Sequence, residues 1–140
     1  MNNHPYDFIQ SLLIENHRLF SLTHCWLMTW DHIHQLLKNA QEAESALMKH
    51  CSHRPVVKLF TPDEKGTWLL TELSLHDPEM AYGLCDIGDG FPNLNFVSIT
   101  GLFMRRGPLN YPVVRERDFT PTKTLKEYAE ESFEVRRVVA

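Results

Sequence analysis

The chain has 140 residues, 43% hydrophobic and 23% charged, enough for one domain with a real core and too few for two comfortable ones. A net charge of −4 excludes a polycation drawn as a whole to phosphate backbones. The three cysteines, Cys25, Cys51 and Cys85, are odd in number and form no CxxC, which together with the lack of a signal peptide predicts free thiols in a reducing cytoplasm.

Pro5 suits a first helical turn, and Phe8, Ile9, Leu12, Leu13, Leu19 and Phe20 recur at helical spacing, which predicts a helix over 5–20. A second, stronger pattern places Ile33, Leu36, Leu37, Ala40, Leu47 and Met48 on one stripe. That helix reaches about residue 50 and starts either at an Asp31 N-cap or near Thr23, so that Trp26, Met28 and Trp30 extend it. The pair reads as an α-hairpin covering one face of a sheet. The rival reading makes the Trp26–Trp30 region an interface.

Strands are expected at Val56–Phe60, Thr67–Leu75, Met80–Ile87, Leu94–Ile99 and Val113–Phe119. Pro62, Gly66, the His76-Asp77-Pro78-Glu79 loop and the Gly88-Asp89-Gly90 turn separate the first four of them. Such short connections imply antiparallel pairing. A four-residue loop at 76–79 pairs Leu75 with Met80. Leu73 then faces Tyr82, Thr71 faces Leu84, and Leu69 faces Asp86. Glu72 and Cys85 fall on the opposite face, so Glu72 and Asp86 are not expected to act as a carboxylate pair. Thr124 and Glu127 form a capping-box pattern that opens a helix over Leu125–Phe133, with Leu125, Tyr128, Ala129 and Phe133 buried. The fold class is α+β: an antiparallel sheet of four to five strands, two N-terminal helices and one C-terminal helix. Residues 1–54 read as a helical extension packed on a 55–140 core.

No strong catalytic, nucleotide or metal motif is present. The eight histidines include one local cluster, His50-Cys51-Ser52-His53, without an HExxH or a paired CxxC to support zinc. Cys85 lies mid-strand among apolar residues and reads as a buried thiol. Neither a metal nor another cofactor is expected. Charge is the more telling feature. From Asp63 to Asp89 there are seven acids against one lysine, and from Arg105 to Arg117 four arginines against one glutamate. One reading is a binding face built from Arg105, Arg106, Arg115 and Arg117, with Trp68 and the acidic-turn residues Asp86 and Asp89. The other is that the two charged segments hold each other across the fold.

Six collinear blocks carry a resemblance. They are Lys58-Leu59-Phe60-Thr61-Pro62-Asp63; Thr67-Trp68 with Thr71-Glu72; Tyr82-Gly83-Leu84; Leu94-Asn95-Phe96-Val97-Ser98; Arg106-Gly107-Pro108-Leu109 with Pro112; and Arg115-Glu116-Arg117-Asp118 through Phe119 and Pro121. Over Lys58–Lys123 the chain resembles an uncharacterised domain family carried largely on bacterial conjugative plasmids and integrative elements. Gly101-Leu102-Phe103-Met104 departs from it, since the family usually has an acidic Glu-Leu after the serine. The resemblance implies a small cytoplasmic accessory protein and assigns no catalytic residue. With the split charge it makes a non-enzymatic interaction protein with a protein partner the leading expectation. A nucleic-acid-binding module using 105–117, with Trp68 or Tyr111 for stacking, is one rival. A small hydrolase using Glu72 or Asp86 is the other. No membrane association is expected, and a homodimer through the N-terminal helices stays open.

Overall fold

A computed structural model describes residues 5–23, 27–45 and 52–140. The elements run α1 (Pro5–Glu15), α2 (His17–Thr23), α3 (Trp30–Ser45), β1 (Val57–Phe60), β2 (Thr67–Leu73), β3 (Met80–Asp86), β4 (Asn93–Ser98), α4 (Ile99–Met104), β5 (Val114–Arg115) and α5 (Leu125–Val135). The strands form one antiparallel sheet in the order β4-β3-β2-β1-β5. The expected α+β class is therefore the observed one.

Both sheet faces are covered. On one side Ile9, Phe20, Ile33, Leu36, Leu37 and Leu102 from the N-terminal helices and α4 pack on Leu59, Trp68, Leu70, Leu73, Ala81 and Cys85. On the other, Leu125, Tyr128 and Ala129 of α5 pack on Leu69 and Leu84. Each such fully buried leucine stabilises the fold by about 1.5–3 kcal/mol relative to its exposed state.

The first predicted helix breaks at Asn16 into α1 and α2. The ladder nonetheless runs on, with Asn16 N–H donating to the Leu12 carbonyl and Phe20 N–H to the Asn16 carbonyl. The start of α3 corrects the Asp31 cap. The Thr29 hydroxyl accepts from His32 N–H at 3.1 Å, and Thr29 N–H donates to His32 Nδ1 at 3.2 Å. Leu47, Met48, Trp26, Cys25, Cys51 and His50 lie outside the described residues. The Thr124–Glu127 capping box is present as expected. Phe133 is not buried as expected but 46% exposed; Ser132 takes the inward position instead.

Two further corrections concern the sheet. Ile99, expected to end a strand, begins α4, because the Ser98 hydroxyl accepts Gly101 N–H at 3.0 Å and caps a new helix. The β2–β3 loop closes with Ser74 N–H on the Met80 carbonyl, so the expected Leu75–Met80 pairing does not form. Near the open end Leu69 faces Leu84 and Thr67 faces Asp86. A bulge between Leu70 and Glu72 then makes Glu72 face Tyr82 and Leu73 face Ala81. Glu72 thus shares a face with Asp86, contrary to the expected separation. Four residues along β3 still put their rungs roughly 13 Å apart.

A close backbone approach sits in the same pair of strands. A Cβ on Gly83 would come within 1.9 Å of the Leu69 carbonyl oxygen. Only glycine lets β2 and β3 pack this closely.

Candidate interaction surface

The β1–β2 turn and the segment after α4 are fastened to each other. Thr61 starts the turn, its hydroxyl accepting Gly66 N–H at 2.8 Å. This aims Asp63 outward, toward the loop 107–111. Asp63 Oδ2 accepts Leu109 N–H at 2.7 Å and Tyr111 N–H at 3.4 Å. Its Oδ1 is buried and has no hydrogen-bond partner among the described residues. A Cβ on Gly107 would overlap that oxygen at 1.8 Å, so the glycine makes room for the carboxylate. The loop closes on itself through Gly107 N–H to the Tyr111 carbonyl, Asn110 N–H to the Gly107 carbonyl, and Asn110 in the left-handed region at φ 66°. An Arg106–Pro112 bridge continues the closure.

This loop and the adjoining end of α4 present apolar side chains to solvent. Leu109 is 73% exposed, Met104 70% and Tyr111 52%. Arg106 stands beside them, one of its guanidinium nitrogens donating to the Phe103 and Arg105 carbonyls at the end of α4.

The four arginines do not form one cationic face. Arg105 donates to Glu64 Oε2 at 3.3 Å and lies 5.6 Å over the Trp68 ring. Trp68 itself is only 2% exposed, so its ring belongs to the core and presents no stacking surface. Arg115 pairs with Leu59 on the sheet edge and is half-buried. Its charge, after burial, helps to hold the His32 imidazole below its ordinary pKa. The backbone N–H donated to His32 Nδ1 fits the same neutral ring. Arg106 and Arg117 remain as the exposed pair.

Asp86 and Asp89 are turn-builders. The buried Asp86 accepts Gly88 N–H through Oδ1 at 2.8 Å and Val138 N–H through Oδ2 at 3.0 Å, which ties the segment after α5 to the end of β3. Asp89 accepts Phe91 N–H at 3.1 Å. Cys85 is a buried free thiol whose pKa is pushed up to about 11 by burial. His53 Nε2 lies 3.8 Å from Glu42. Among the described residues no group of three or more His, Cys, Asp and Glu side chains is placed to hold a metal. None of the described helices is long and apolar enough to cross a membrane.

Sequence reasoning found the arginines by charge but missed Asp63 as the organising residue. Its partners are backbone N–H groups 46 and 48 positions away, which no local pattern marks.

No curated protein and no solved structure matches the chain. A family does match, over residues 27–139, a wider span than the blocks from Lys58 to Lys123 because it takes in α3 and α5. The chain belongs to the family described as Protein of unknown function (DUF2958).

Proposed function

We propose that the protein is a non-enzymatic interaction module that docks a protein partner through the Asp63-clamped loop, as an accessory of the bacterial mobile elements to which the resemblance points. The observation that carries this is the exposure of Leu109 and Tyr111 on a loop whose backbone is held by Asp63, with Met104 and Arg106 next to it in the chain. Exposed apolar anchors with arginine and tyrosine beside them are the composition of interface hot spots. A clamped loop also loses little conformational entropy on binding. The complementary partner surface is an apolar groove with an acidic rim.

A nucleic-acid reading is weaker, because Arg105 is paired to Glu64, Arg115 is half-buried and Trp68 is inaccessible. A hydrolase reading is weaker still. Both Asp86 oxygens already accept backbone N–H groups, and the cavity that Asp86 borders does not include Glu72.

The deciding experiment places a photo-reactive residue at position 109 in host cells. One dominant crosslinked protein, lost when Tyr111→Asp is added, supports the docking reading. Crosslinking that is diffuse, or unchanged by Tyr111→Asp, removes it. In parallel, a salt-dependent affinity for single- or double-stranded DNA or RNA would favour the nucleic-acid reading instead.

A further inference from the structure

The β1–β2 turn also borders a cavity. This cavity of about 470 Å³ opens between Lys65, the 86–90 turn and the segment that follows α5. Its size falls within the range of small-molecule sites, roughly 300–1,000 Å³. Its ionisable lining is Lys65, Arg136 and Arg137 against Asp86 alone. The acid is already engaged, since its two oxygens accept Gly88 and Val138 N–H. The three cations are not. None lies within ion-pair distance of a carboxylate among the described residues. A larger cleft of about 580 Å³ around Lys58 and Lys123 differs on this point, because Lys123 is paired with Glu131 there and Lys58 donates to the Ala140 carbonyl.

Backbone geometry points the same way. Gly88 has φ 89°, and a Cβ on it would meet Lys65 Cβ at 2.9 Å, so glycine lets the turn close against the lysine. Arg136 caps α5 in the left-handed region at φ 61° and ψ 31°. This is the position where helices commonly take glycine at no cost. The chain instead holds an arginine there, against its backbone preference, and the arginine lines the cavity. Val135 and Val138 add apolar wall beside the charges.

We propose that this cavity binds the phosphate group of a small molecule, held by Lys65, Arg136 and Arg137. Three unpaired cations suit a dianion better than a single carboxylate, and guanidinium forks match phosphate oxygens two at a time. The ligand is inorganic phosphate itself or a phosphomonoester whose organic part lies against Val135 and Val138.

The test is an NMR titration of the full chain at low salt with inorganic phosphate, adenosine monophosphate and adenosine. Saturable shifts of the Gly88, Gly90 and Arg137 amides with either phosphate-bearing probe, and none with adenosine, support the site. The tighter of the two identifies the source. Lys65→Ala and Arg137→Ala each weaken binding roughly tenfold, the loss of one charge-assisted contact. Arg136→Gly separates fold from function: its melting temperature rises because the strained residue is gone, while phosphate affinity falls. No saturable shift up to about 10 mM ligand, or unchanged affinity in all three variants, overturns the proposal. Either outcome leaves the docking reading untouched, since that rests on Leu109 and its neighbours.

Discussion

Asn39 of α3 donates its side-chain amide to the carbonyl of Thr71 at 3.0 Å, across 32 residues of sequence. Thr71 is the residue that the β2–β3 register skips at the bulge. Gln35 donates in turn to Asn39 Oδ1 at 2.8 Å, so the amide is held from both sides. The helix therefore satisfies the backbone group that the sheet releases, and the bulge sets which side chains of β2 reach which face.

Replacing Asn39 tests this directly. Asn39→Ala leaves a buried carbonyl unpaired and costs about 1–3 kcal/mol. Asn39→Asp costs more, because an ionised carboxylate cannot donate and would sit buried against the carbonyl oxygen. Gln35→Ala, which removes only the supporting bond on the helix surface, costs less than either. Urea unfolding of the three variants gives the ranking. Equal midpoints for Asn39→Ala and the parent protein would show that the bulge needs no helper.

The bulge also marks the limit of what was readable beforehand. The Thr124–Glu127 capping box was legible because both partners lie within one helical turn and each residue type names its role. The β2–β3 register was not. It depends on a loop that closes at Ser74 rather than Leu75, and on an asparagine from a different element. α4 was hidden for another reason: Ile99, Leu102, Phe103 and Met104 continue the apolar run of β4, and only the Ser98 cap turns them into a helix. At the site, charge locates Arg105 and Arg106, whereas nothing in the local sequence separates Trp68 as a stacking surface from Trp68 as core. Its ring fills the core beneath Arg105.

Gly83 offers a second test on the same hairpin. Gly83→Ala forces a methyl group into the Leu69 carbonyl, and β2 and β3 must part to admit it. Overpacking of this kind costs typically 1–3 kcal/mol. Because the obstacle is backbone on a central strand, the expected cost is at or above the top of that range. Thermal unfolding followed by circular dichroism reads it. A melting temperature within a degree or two of the parent would show that the strands are further apart than described.

Cys85 predicts a pH dependence. Its thiol is raised from an ordinary 9.0 to about 11 by burial, so the folded chain holds this proton more tightly than the unfolded chain does. The resulting stabilisation, about 3 kcal/mol, is fully present below pH 9 and is lost as pH rises toward and through 11. In a Cys25→Ser, Cys51→Ser background, a thiol reagent at pH 8 should label Cys85 only at the rate of unfolding. Rapid labelling of the folded protein would contradict the burial. Substituting Cys85 by Ala should flatten the alkaline loss of stability.

Asp63 decides whether the proposed docking loop is rigid by design. Asp63→Ala removes the acceptor for Leu109 and Tyr111 N–H and empties the space over Gly107. The loop is at the surface, so global stability falls by only about 1 kcal/mol. The local effect is larger in relative terms: hydrogen exchange at the Leu109 and Tyr111 amides should quicken by roughly tenfold or more, with the amides of β2 and β3 unchanged. Crosslinking to the partner from position 109 should weaken in step, because the anchors then have to be ordered on binding. Gly107→Ala should reproduce both effects although Asp63 is retained, since the added methyl pushes its carboxylate out of the loop. If exchange quickens in Asp63→Ala but crosslinking holds, Leu109 and its neighbours bind without preorganisation. If neither changes, the contact between the β1–β2 turn and the loop does not fix the display of Leu109.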